Sequence, residues 1–224
     1  MRKFWGFYDN GTYRVGCNGA TVYVFDSQDN ELARFKDFPY AYTAAFIPNT
    51  NIIAVKSIAG YIGFYDLDKL KLIKKHLITK KYAQDMGFAF SPDGQFFYNI
   101  EERDIETQLC IYETKTFSKV KTLLSNRKDL LLKHIEFDKS SDKCYILGAM
   151  LQEHHYQYGF IGLLNVDEDD VIDIKRLENE QYNYAYEYKK WEIKGFTEKS
   201  LEWNDLKHLD RIVPVSLKDI YNSI

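Results

Sequence analysis

Five groups of residues in this chain have types and spacings that chemistry uses. In NVDEDDVIDIKR, Asn165, Asp167 and Asp169 alternate like the first ligands of a calcium loop. The match then fails, because Asp170 stands where that loop needs glycine and Arg176 where it needs a bidentate glutamate. The segment reads as an acidic turn. QEHHYQY offers His154 and His155, but adjacent histidines on a strand face opposite sides, and no third ligand follows at a recognisable spacing. They read as loop histidines, with no metal expected. Tyr182, Tyr184, Tyr186 and Tyr188 alternate, as a strand must to stack phenols against a sugar or base. Packing between sheets accounts for Tyr186 and Tyr188, while Tyr182 and Tyr184 stay open between the two uses. Asp9, Asp85, Glu136 and Glu187 are raw material for glycoside hydrolysis, which needs two carboxylates about 5 to 9 Å apart. The basic run KLKLIKKHLITKK, residues 69–81, could attract nucleic acid. No GxSxG elbow, HExxH pair or glycine-rich phosphate loop accompanies them.

The elements that must position these groups are strands. Aromatic residues make up 16% of the 224, a share that favours β structure, and a chain of this length can close one all-β domain over residues 1–224. A net charge of −3 points away from nucleic acid and from a membrane surface as partners. Cys17, Cys110 and Cys144 are odd in number, far apart and without a CxxC pair, so neither a disulfide framework nor structural zinc is expected. MRKFWGFYDNGTYRVG has too short an apolar run for a signal-peptide core, and no stretch approaches the roughly 18 apolar residues of a spanning helix. A cytoplasmic location follows as an expectation.

A repeat organises the strands. FAFSPDGQFFY, residues 88–98, is two alternating apolar runs about a Ser-Pro-Asp-Gly corner, where glycine accepts the positive φ of a hairpin turn. Looser copies are GFYDNGTYRVG, AFIPNTNIIAV and EFDKSSDKCYIL, with Phe7, Phe46, Phe90 and Phe137 equivalent at intervals of 39, 44 and 47 residues. Each is followed by a second strand–turn–strand element, beginning VYVFD, IGFYD, CIYET and GLLNV. Each unit therefore holds four short antiparallel strands, a to d. Four-stranded units at this period, stacked so that each covers its neighbour's apolar face, define a β-propeller.

On FSPDG followed by an apolar strand, and an aromatic-acidic pair closing strand c, the chain resembles a divergent member of the WD40-like β-propeller superfamily over residues 4–177. The resemblance implies architecture alone, because the closing pairs read Phe25-Asp26, Tyr65-Asp66, Tyr112-Glu113 and Leu164-Asn165, never Trp-Asp, and no Gly-His precedes strand a. Extending the spacing puts a fifth strand a at 185–189, inside QYNYAYEYKKW, and a fifth strand c at 211–217, with a short helix within SLEWNDLKHL. The fold expected is all-β, about five four-stranded blades, the last incomplete and carrying a helical insertion.

In such a meander the a–b and c–d turns leave one end of every sheet, and the b–c and d–a connections leave the other. The second set is longer, and the span from strand a to the closing residue of strand c grows through 18, 19, 22 and 27 residues. Long loops on a rigid scaffold are where binding usually resides. That end gathers Tyr40, Tyr42, Tyr82, Arg103, Arg127, His154, His155, Tyr156, Tyr158, Tyr182 and Tyr184. Tyr and Arg dominate protein-binding hot spots. The expectation is a non-catalytic module, without cofactor, that recognises a partner protein there, with an inhibitor or antagonist of that partner as the finer expectation. The alternative is a five-bladed glycoside hydrolase or sugar-binding protein. The acids named above do not share one position of the repeat, which disfavours catalysis. The basic run falls on an outermost strand, where lysines protect an exposed edge. An incomplete last blade would allow either a monomer or a homo-oligomer.

Overall fold

The fold was obtained as a computed structural model, which describes residues 3–4, 6–37, 39–78, 87–103, 106–138, 140–179, 181–182, 201–202 and 216–224. Among these the chain is all-β, with four four-stranded antiparallel sheets, each a simple meander in chain order. Sheet 1 holds β2 (Gly6–Asp9), β3 (Tyr13–Cys17), β4 (Val22–Asp26) and β5 (Glu31–Phe35). Sheet 2 holds β6 (Ala41–Phe46), β7 (Ile52–Ser57), β8 (Tyr61–Asp66) and β9 (Lys71–Leu77). Sheet 3 is β10 (Phe88–Phe90), β11 (Phe96–Arg103), β12 (Glu106–Glu113) and β13 (Lys119–Leu123). Sheet 4 is β14 (Leu130–Phe137), β15 (Cys144–Gln152), β16 (His155–Asn165) and β17 (Asp170–Leu177). A two-stranded ladder pairs β1 (Lys3–Phe4) with β18 (Leu201–Glu202), and a helix, α1 (Leu217–Asn222), follows last among the described residues.

The molecule divides into two compact units, one with sheets 1 and 2 and the other with sheets 3 and 4. In the first, Val15, Cys17, Val22 and Val24 of sheet 1 pack on Ala44, Ile53, Val55 and Tyr65 of sheet 2. Phe4 of β1 lies on sheet 1, its ring centroid 5.5 Å from that of Tyr23 and 6.1 Å from those of Phe7 and Phe25. In the second unit, Ile100, Leu109, Ile111 and Leu123 of sheet 3 meet Leu132, Ile135, Ile146 and Phe160 of sheet 4. Leu217 and Ile220 of α1 pack with Tyr145, Leu147 and Ile161 of sheet 4. Burial of one apolar face by the next sheet is what makes each meander stable, since a lone one would expose both faces.

The second member of each closing pair has a local role. Asp26 accepts the backbone N–H groups of Gln28 and Asn30, Asp66 that of Lys69, and Asn165 those of Asp167 and Glu168. Glu113 accepts the Thr116 hydroxyl. Each side chain thus satisfies donors of the c–d turn that its own strand opens, the standard work of Asx turns. One residue in each of these turns is left-handed: Asp29, Leu70, Phe117 and Asp169, with φ between 47° and 67°.

Four sequence expectations are corrected. Four sheets stand among the described residues, not five; the expected fifth strand a at 185–189 lies outside them. In the stretch where a short helix was expected, Leu201–Glu202 is a strand paired with Lys3–Phe4, and the rest of SLEWNDLKHL lies outside the described residues. Where strand c should end at Leu217, that residue begins α1, capped by Ser216, whose hydroxyl accepts the Asp219 N–H while Asp219 returns a bond to the cap. The stretches EERDIETQ and LQEHHYQYG are not long b–c loops, because β11–β12 and β15–β16 continue through them. The repeat lengthens by extending its central hairpin.

Candidate interaction surfaces

The residues expected at the b–c and d–a end fall on two surfaces, one in each unit. In the first unit Tyr40 precedes β6 with φ 58° and is 52% exposed. An aromatic residue in the left-handed region costs of order 1–3 kcal/mol and persists only where its neighbours over-determine it. Here the Tyr40 carbonyl accepts the Ile58 N–H at 3.1 Å, the Ser57 hydroxyl donates to the Pro39 carbonyl, and Ala41 exchanges two backbone bonds with Gly19. The backbone is pinned between the b–c turns of sheets 1 and 2 while the ring projects outward. Tyr42, half-buried, lies over Gly19, where any Cβ would come within 2.7 Å of its ring.

In the second unit the β15–β16 hairpin turns through Glu153 and His154, both with positive φ, as a tight two-residue connection requires. His154 and His155 are exposed at this tip. Tyr156, 46% exposed, donates its hydroxyl to the Asn179 side-chain oxygen at 3.1 Å, and its ring is 6.0 Å from that of Tyr182. Tyr182 packs so tightly on the backbone of Gly159 that a Cβ there would stand 2.2 Å from the ring. The Arg176 guanidinium covers Tyr158 at 4.8 Å, a cation–π contact. Tyr182 is not on a strand: its N–H bonds the Glu178 carbonyl at 2.8 Å in a helical turn. Arg176 and Asn179 were missed by sequence reading, although KRLEN closes the last outer strand and runs past it at the end where the tyrosines gather.

Other expected residues lie elsewhere. Arg103 ends β11, paired with Glu106 across the hairpin. Tyr82 and Tyr184 lie outside the described residues, as do Asp85 and Glu187. Arg127 sits between β13 and β14, its fork gripping both carboxylate oxygens of Asp129 at 2.8 and 2.9 Å and also reaching Asp170. With Leu124 N–H on Asp169 and Lys121 on the Val166 carbonyl, it fastens this connection to the outer hairpin of sheet 4. Asp129, chiefly through Arg127, titrates below the usual carboxylate range. Of the acids, Asp9 accepts from Gly11 N–H and Arg14, and Glu136 accepts the Leu217 N–H at 3.2 Å at the start of α1. Asp9 thus serves its own turn, whereas Glu136 holds the start of a helix 81 positions away. Among the described residues no group of three or more His, Cys, Asp or Glu gathers as a metal would need.

Sheet 3 also carries a polar cluster that its sequence does not advertise. Glu101 receives the Tyr112 hydroxyl, the Asn99 and Gln108 amides and, at 3.4 Å, Lys119, which also reaches Cys110 sulfur at 3.1 Å. Burial pushes the Glu101 carboxyl up, yet the Tyr112 bond and the Lys119 charge outweigh it and hold it below its ordinary value. Burial and the Glu101 charge push the Cys110 thiol up to about 11. Cys17, Cys110 and Cys144 are all buried. The folded protein is therefore expected to show no thiol reaction with dithionitrobenzoate at pH 8 and to titrate fully in denaturant; rapid labelling of the native state would contradict the burial.

No family model matches the chain, and no curated protein does. Among solved structures, Kuenenia stuttgartiensis hydrazine synthase superposes with a TM-score of 0.65 at 12% identity, covering 79% of this chain and 49% of that one. The chain thus spans about half the length of that structure. With 1010 chains of solved structures matching, the shared fold is too widespread to carry an activity, and it is the fold alone that this chain has in common with them.

Proposed function

We propose that this chain is a non-catalytic β-propeller module that recognises a partner protein through the b–c and d–a ends of its sheets. The sheets serve as blades, and β1 and β18 begin a fifth that draws on both chain ends. One observation carries the binding reading. Among the described residues the exposed tyrosines are Tyr40 and Tyr156, and both stand at that end, one on a pinned left-handed backbone and one on an extended hairpin. Rigid tyrosines bury large area at low entropic cost, which suits them to anchor a protein interface. An inhibitor or antagonist is the role that a surface built on such anchors suits. The glycoside-hydrolase alternative loses ground because Asp9 and Glu136 each accept a backbone N–H, that of Gly11 in its own turn and that of Leu217 at the start of α1.

The test is affinity capture from the native host with the parent, Tyr40→Ala and Tyr156→Ala. A protein retained by the parent should lose about 2 kcal/mol of affinity, some thirtyfold, with either substitution at an anchor. Equal retention by all three would end the assignment of this end.

A further inference from the structure

The four outermost strands share a defect in their pairing. In sheet 1, Val24 pairs with Ala33 and Phe25 with Glu31, so Leu32 is left without an opposite residue. In sheet 2, Phe64 pairs with Lys74 and Tyr65 with Leu72, leaving Ile73; in sheet 3, Ile111 pairs with Lys121 and Tyr112 with Lys119, leaving Val120. Sheet 4 repeats the pattern one step later: Leu163 pairs with Ile172 and Ile161 with Lys175, so that Asp173 and Ile174 oppose Gly162, and Asp173 takes φ 49°. Each sheet therefore has a β-bulge on its outer strand, close to the closing residue of strand c. Each also exposes an aliphatic side chain there, Leu32 by 39%, Ile73 by 49%, Val120 by 59% and Ile172 by 36%.

An outer strand presents unpaired N–H and C=O groups to any other strand, and a flat edge with exposed aliphatics is an association site. KLIKKHL and KVKTL have the composition for it, broken chiefly by lysine. A bulge bends and twists the strand at one point, so an incoming strand cannot keep its hydrogen bonds on both sides of it. We propose that the bulge repeated in all four sheets is an edge guard: it closes every described outer strand to strand addition, by a second copy of this chain or by any extended peptide, and lets aliphatic residues stand exposed there. Four occurrences on four different sequences argue against a local accident of one hairpin.

Deleting Leu32, Ile73 or Val120, one per variant, would restore an unbroken ladder. Each variant that keeps the parent's circular dichroism spectrum is expected to self-associate at a concentration about tenfold lower than the parent, by light scattering across a dilution series. Folded deletion variants as monomeric as the parent would overturn the proposal. A measurement on the parent alone holds even where a deletion prevents folding. A synthetic peptide of residues 117–123, FSKVKTL, carries the exposed-edge sequence of sheet 3. The guard predicts no saturable binding of this peptide up to millimolar concentration, and micromolar saturation would overturn it.

Discussion

Replacing Phe4 by alanine should cost about 3–5 kcal/mol of stability, the range for removing a fully buried aromatic ring. Phe4 is 1% exposed although it is four residues from the start of the sequence. Its ring meets Phe7, Tyr23 and Phe25 and lies against Gly16, where a Cβ would come within 2.5 Å of it. The cavity left by alanine cannot be filled by that glycine, so the site will relax poorly. In a chain of this length the midpoint of thermal unfolding should fall by roughly 10 °C. The same substitution loosens the backbone ladder to Leu201 and Glu202, so hydrogen exchange at those two amides should accelerate with it. A change within 1 °C would show that the N-terminal strand contributes no closure, and the proposed fifth blade would lose its support.

The second large effect is expected from a single hydroxyl. Thr107 on β12 is 6% exposed; its oxygen donates to the Leu130 carbonyl at 3.2 Å and accepts the Leu132 N–H at 2.8 Å, bridging sheet 3 to the first strand of sheet 4. Valine has nearly the same shape and can do neither. Thr107→Val would leave a buried donor and a buried acceptor unmatched, at a cost of about 2–3 kcal/mol by urea denaturation, whereas Thr107→Ser should recover most of it. Neutral behaviour of the valine variant would mean that water reaches these groups.

How much of this was legible in the sequence depended on whether the determining contact was local. Sheets 1 to 4 were legible because their alternation and turn residues repeat: Phe90 and the Ser91 corner, or Tyr65 and Asp66, carry their structural role within a few residues of chain. The extended hairpins were misread as loops for a physical reason. Gln152 to Gln157 are exposed on a two-stranded arm, so the apolar alternation that marks a strand is missing. Of the two carboxylates that Arg127 reaches, Asp129 is two residues on, but Asp170 lies 43 positions away and could not be read from the local sequence. The closing helix, by contrast, was readable and was overlooked: Ser216 and Asp219 form a capping box, and Leu217, Ile220 and Tyr221 repeat at helical spacing. For the tyrosines, sequence gave the end of the sheets but not the backbone. Nothing in FPYAY shows that Tyr40 is left-handed, because the bonds that hold it come from Gly19 and Ile58.

The way sheet 4 outgrew its siblings has a further consequence. The last residue of β16 paired with β17 is Gly159, opposite Leu177, and His155 to Tyr158 continue beyond it, an overhang of about 13 Å at the rise of an extended strand. Gln152 to Gln157 are exposed, and strand geometry repeats every two positions, so the tip can be lengthened, shortened or rewritten in pairs without turning any core side chain outward. The arm is thus a replaceable part on a buried chassis, and a loop grafted between Gln152 and Gln157 should fold as readily as the original. Descendants of one scaffold could change what they hold by mutating six residues and leave the rest of the chain untouched.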